Sequence, residues 1–154
     1  MALKDSIAQL IAGLFLENPA KNKSFAQLGS ALETGGIQMQ ARLETGKANP
    51  ELLRHIIQIE RWGQNRLRSS IGEVRFEMDR SGPYAPDAAL GWDELKSEFA
   101  RVRQETLLIA RRLELAKPAP AFVVHNQFGP ISVKGWLRYL NVHASTESRK
   151  LRPA

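Results

Sequence analysis

WDELKSEFARVRQETLLIARRLELAK, residues 92–117, decides the fold class. Leu95, Phe99, Val102, Thr106, Ile109 and Leu113 step by four and three, which places them on one face of an α-helix. Pro118 and Pro120 end the pattern. A helix this long must bury its apolar stripe against other elements, and the rest of the chain supplies further helices.

Residues 49–71 read as a second long helix. Asn49 suits the N-cap, Pro50 the first helical position and Glu51 the first turn, and Leu52, His55, Ile56, Ile59 and Trp62 share a face until Gly72 stops it. Before it, Ser24 is the natural cap of a helix carrying Leu28, Leu32, Met39 and Leu43. Gly35 and Gly36 weaken that helix, each by about 1 kcal/mol relative to alanine, at a point where it could divide. Residues 3–17 read as an amphipathic helix with Ile7, Leu10, Ile11 and Leu14 on one side, broken by ENPAKNKS. The last helix runs from about Ser132 to Leu151.

Two stretches lack helical period. EVRFEMDRSGPYAPDAALG (73–91) is rich in Gly and Pro, and connections of this length are often functional. AFVVHNQFGPI (121–131) reads as a short extended or turning segment. There are no internal repeats. The expectation is a single all-α domain over residues 1–154, a helical bundle with an additional N-terminal helix.

Composition narrows the function. The chain has 154 residues and no cysteine, which excludes disulfides, thiolate ligands and a cysteine nucleophile, and fits a reducing cytoplasm. Asp5 and Gln9 interrupt the N-terminal apolar run, so it does not read as a signal peptide, and no run is long enough to span a bilayer. The net charge of +6 raises nucleic acid as a partner, but basic and acidic residues are interleaved. Only RWGQNRLR (61–68) and SRKLRPA (148–154) are locally dense, and a solvated surface accounts for the charge better than a nucleic-acid groove.

The three histidines stand at 55, 125 and 143. Trp136, Leu140, His143, Glu147 and Leu151 fall on one stripe, so His143 and Glu147, four apart, project together. With His55 from the other helix they make a two-histidine, one-carboxylate set that suits Zn(II), Fe(II), Ni(II) or Mn(II). The same spacing equally suits core histidines bonded to carbonyls, or a plain buried ion pair.

Three segments carry a resemblance. ANPELLRHIIQIERWGQNRLR (48–68), VVHNQFGPISVKGWLRYL (123–140) and NVHASTESRKL (141–151) resemble the second helix, the loop before the last helix and the last helix of the DinB/YfiT-like superfamily. The resemblance covers residues 49–151 and leaves 1–48 unplaced. It implies a four-helix bundle holding one divalent metal on a histidine of the second helix and an H-x-x-x-H pair of the last. His55 matches the first ligand, His143 the second, and Glu147 stands where the third histidine would be. A carboxylate there either ligates, making bound water less acidic, or marks a lineage that has lost its metal. His125, in HNQFGP, is expected to fix the loop, with the alternative of a fallback ligand.

The resemblance therefore implies a metal-dependent enzyme, a transferase or hydrolase, in which the ion activates water or a low-molecular-weight thiol cosubstrate. Arg61 or Arg66 would orient an anionic substrate, and Trp62, with Trp136, Tyr84 and Phe128, would line its pocket. It also implies a homodimer. The alternative is a metal-free, non-catalytic bundle acting as a ligand-binding or interaction protein.

Overall fold

The computed structural model describes residues 3–117 and 122–154. Pro118 and Pro120, expected to end the long helix, lie outside the described residues. Helices dominate: α1 (Leu3–Ala12), α2 (Asn18–Lys21), α3 (Phe25–Thr45), α4 (Pro50–Ser70), α5 (Trp92–Ala116) and α6 (Val133–Ser148). None among the described residues is long and apolar enough to cross a membrane.

The local signals work as the sequence implies. Ser24 and Gln27 form a reciprocal capping box on α3, and the Asn49 side chain accepts the Leu52 N–H at the start of α4. Lys117, in the left-handed conformation at φ 47°, closes α5. The segment read as extended or turning is an antiparallel hairpin of β1 (Phe122–His125) and β2 (Gly129–Ser132). Gly129 sits at φ 71°, a conformation that glycine adopts without a Cβ penalty.

The double glycine does not divide α3, which runs unbroken. It admits neighbours instead: a Cβ on Gly36 would lie 3.0 Å from Arg103 Cγ, and one on Gly35 would overlap the Asn141 side chain. α3 and α4 each pack against both α5 and α6. Two apolar clusters fill the interior, one around Leu32, Trp62, Ile109 and Leu140, the other around Met39, Ile57, Phe99 and Ala144.

A buried polar layer separates the clusters. Arg103 donates to Glu60 through Nε at 2.6 Å and Nη2 at 2.9 Å, a bidentate pair, and also to Leu32 O and Asn141 Oδ1. The Thr106 hydroxyl donates to Glu60 Oε1 at 2.9 Å, and Gln64 Nε2 donates to that hydroxyl and to Val102 O. On α5 and α6 the layer residues, Arg103 with Thr106 and Asn141, fall between the two clusters in chain order, and sliding α4 or α5 by one turn would bury an unpaired charge.

The first helix differs from expectation. Ala8, Ala12, Leu16 and Ala20 face inward, while Ile7, Leu10, Ile11 and Leu14 are exposed. Steps of four overshoot the 3.6-residue turn, and a π-helical turn at Gly13–Glu17 takes up the excess, keeping those four residues on one side. It also directs Glu17 to the start of α6, where Oε1 accepts from the Ser132 N–H at 2.8 Å and from its hydroxyl at 3.1 Å.

Candidate metal centre

α4 supplies His55 and α6 supplies His143 and Glu147. The two helices approach closely because Gly63 faces Leu140, where a Cβ would overlap the leucine methyl groups. One ligand atom from each of the three residues lies within 4.8 Å of the other two. The imidazole Nε2 atoms of His55 and His143 are 3.3 Å apart, with the rings edge to face.

That separation provides a test of fit. Two nitrogens each bound at about 2.0–2.1 Å to one ion subtend roughly 105–110° when 3.3 Å apart, close to the tetrahedral angle. The donor set of two neutral nitrogens and a carboxylate suits a divalent ion of the Zn, Fe, Ni or Mn type.

The electrostatics keep His143 and Glu147 in ligating form. His143 is pushed down to about 4 by burial first and by His55 second, so its ring is neutral at physiological pH. Glu147 is held below the usual carboxylate range by its bond from Lys150 Nζ at 2.7 Å. Lys150 is mostly exposed, so the pair is worth at most about 1 kcal/mol and competes weakly with an ion.

An aromatic cluster adjoins the site along the α4–α6 seam. Tyr139, one turn before His143, has its ring 5.8 Å from that histidine and 4.8 Å from His125. Burial raises its hydroxyl to about 12, so it is protonated. Trp62, Phe128 and Trp136 complete the cluster around His125.

The His125 Nδ1 accepts the N–H groups of Gln127 and Phe128, at 3.0 and 3.2 Å, and thereby fixes the hairpin turn. It therefore acts on the turn ahead of α6 and is not among the three clustered residues. Its Nε2 is buried with no hydrogen-bond partner. The rings of Trp62 and Tyr139 pack against the imidazole in T-shaped contacts, at 75° and 79° to it.

Arg61 and Arg66 are engaged elsewhere. Arg61 donates to Glu98 and, at 3.4 Å, to Tyr84 O, and Arg61 and Tyr84 border a separate groove of about 460 Å³ with Arg68, Arg101 and Glu105. The Arg66 guanidinium, 1% exposed, bonds Glu77 O, Asp79 O and Asn126 Oδ1, pairs with Asp79 at 3.0 Å, and lies over the Trp62 and Phe76 rings. With Trp62 Nε1 and the Tyr84 hydroxyl donating to Asp79, and with Gln58 and Arg54 bonding Ser81 and Ala88, α4 straps the 73–91 connection along its length. Of the residues expected to meet substrate, Trp62, Trp136 and Phe128 belong to the aromatic cluster, Arg66 lies over Trp62, and Arg61 and Tyr84 border the other groove.

Tyr139 and Lys150 escaped notice in the sequence. Tyr139 lies four residues before His143 on the same stripe, which is a usable signal; a lysine near a chain end carries none. No family model, curated protein or solved structure matches the chain.

Proposed function

We propose that this protein is a metal-dependent enzyme on a four-helix bundle of the DinB/YfiT-like type, with His55, His143 and Glu147 holding one divalent ion. The observation that carries the reading is the convergence of three donor atoms from two helices within 4.8 Å, with neither imidazole pair member turned to a backbone carbonyl. A bound ion would supply Lewis-acid activation of a water or of a low-molecular-weight thiol cosubstrate, the chain itself having no cysteine. The residues' own work is to keep His143 neutral and Glu147 anionic, while the Trp62, Phe128 and Tyr139 rings offer an apolar wall to a small-molecule substrate. Arg61 and Arg66 would serve such a substrate only indirectly, by holding the connection in place.

Metal content decides the matter. Chain purified without chelator is expected to carry, or take up from Zn, Ni, Fe or Mn, about one equivalent, and His55→Ala and His143→Ala to lose it. Less than roughly a tenth of an equivalent after such additions would end the proposal. A second reading, a metal-free bundle that binds a ligand or partner, is favoured by the Lys150–Glu147 bond, which closes the carboxylate without an ion. It requires a melting temperature indifferent to chelator.

A further inference from the structure

The chain is helical without interruption from Leu3 to Lys21, through α1, the π turn and α2. One side of this run is covered, with Ala8, Ala12, Leu16 and Ala20 buried against β2 and α6. The other side presents Leu3, Ile7, Leu10, Ile11, Leu14 and Phe15, with Leu3 77%, Leu10 62% and Phe15 60% exposed. Together these expose an apolar patch on the order of 600 Å², at the top of the range for monomers, and patches of that size mark docking surfaces.

Basic residues gather at one end of the patch. Arg138 of α6 donates Nε to the Phe15 carbonyl at 2.6 Å, which holds its guanidinium at the margin of the apolar side. Lys134, one turn earlier on α6, has Nζ 5.4 Å from the centre of the Phe25 ring at the start of α3. Lys21 ends α2 and Lys23 follows in the turn before Ser24, both exposed. Among the described residues, none of the four pairs with a carboxylate. The acid nearest Lys21 in sequence, Glu17, is turned to the start of α6, where Ser132 occupies its Oε1. Charges that are interleaved along the sequence are sorted by the fold.

We infer that this face docks peripherally on an anionic phospholipid bilayer, with its apolar side chains in the headgroup–acyl boundary and Lys21, Lys23, Lys134 and Arg138 against the anionic headgroups. An apolar helical face bordered by unpaired cations is what lies on anionic lipid, and the basic margin supplies the second signal that one apolar anchor needs. Leu3, Ile7, Leu10 and Leu14 run along about 16 Å of helix at 1.5 Å per residue, so the helix lies in the plane of the interface. A second copy of the chain would cover the apolar side chains but offers the cations no surplus of acid. The face itself carries only Lys4 and Asp5, which cancel. Docking depends on the apolar face and its basic margin alone, and stands whether or not a metal binds.

Co-sedimentation of the full chain with vesicles tests it. At about 0.1 M salt the chain is expected on phosphatidylcholine vesicles that contain about 30% phosphatidylserine. Its partition constant should fall about a hundredfold or more when phosphatidylserine is left out, because each Lys or Arg near the surface contributes about fivefold. Leu10→Glu with Leu14→Glu should lower partition onto the mixed vesicles by about a hundredfold or more, with helical circular dichroism unchanged because both residues are exposed. Lys21→Gln with Lys23→Gln should lower it about 25-fold. Lys47→Gln with Arg149→Gln removes the same charge just past the far ends of α3 and α6 and should change it by less than about threefold. The natural absence of cysteine permits a second readout. Leu10→Cys carrying a nitrobenzoxadiazole label should brighten and shift to the blue on the mixed vesicles. Ile37→Cys, 68% exposed on the α5 side of α3, should not. No binding to mixed vesicles, binding that survives the double glutamate substitution, or equal losses in the two glutamine pairs would each overturn the proposal. So would a face occupied by a second copy, seen as a wild-type dimer whose Leu10→Cys label does not respond to vesicles.

Discussion

His143 and Glu147 share one turn of α6, yet opposite forces set their protonation. Burial and His55 keep the His143 ring neutral, whereas Lys150 keeps the Glu147 carboxylate ionised. Glu147→Ala should therefore weaken Zn binding by more than the 10–100-fold typical of losing an outer partner, read by calorimetry; an unchanged affinity would remove the carboxylate from the ligand set. His125 gives a pH prediction. Its folded value is lowered to about 4, by burial first and by the Arg66 charge after it, against about 6.5 when unfolded. The unfolded chain therefore binds the proton more readily. Stability is full above about pH 6.5 and falls as the pH drops towards 4, by up to about 3 kcal/mol for this group. His125→Asn retains an acceptor for the two turn N–H groups while removing the titration, so its melting temperature should fall less steeply between pH 6.5 and 4. Parallel curves for variant and wild type would refute this.

Among the elements, glycines mark where helices meet. Gly63 lets α4 lie against Leu140 of α6, and that contact brings His55 to His143. Gly63→Ala gains about 1 kcal/mol of helix propensity but overpacks a fully buried contact, which costs about 1–3 kcal/mol. A net loss in urea unfolding is expected, together with weaker metal binding as the helices part. Gly29→Ala is the control. It lies within α3 with nothing within 4 Å of the added Cβ, and should stabilise by about 0.5–1 kcal/mol. If both substitutions move stability the same way, close approach is not what Gly63 provides.

For the whole molecule, the Glu60–Arg103 pair ties four helices together, α4 and α5 through the ion pair and α3 and α6 through Leu32 O and Asn141. Arg103→Met would strand the Glu60 carboxylate, 1% exposed, at a cost of about 3–5 kcal/mol. Adding Glu60→Leu should recover much of that loss, because the apolar pair no longer leaves a buried charge. Arg101→Ala, which removes an exposed partner of Glu98, should change stability by less than about 1 kcal/mol. Denaturant midpoints for the four proteins separate a register-setting layer from ordinary surface pairing.

The positions of the longer helices, the Ser24 and Asn49 caps, and the shared face of His143 and Glu147 were legible in the sequence, because period and capping act over a few residues. The break expected at ENPAKNKS is not there, the chain staying helical through Lys21. The hairpin was half legible: its four-residue strands are too short to show alternation. Tertiary structure alone decided the rest. Alanine contributes little to an apolar pattern, so the inner face of α1 looked like its weak side, and its strong side proved to be the uncovered one. Gly35 and Gly36 looked like breaks because the side chains they admit come from Arg103 and Asn141, far along the chain. Arg61 and Arg66 looked available for an anion because their partners, Glu98 and the 77–79 and Asn126 groups, are likewise set by the fold. The sequence determined which groups share a helix face; only packing determined which faces are covered, which charges are already paired, and that His55 meets His143 across 88 residues of chain.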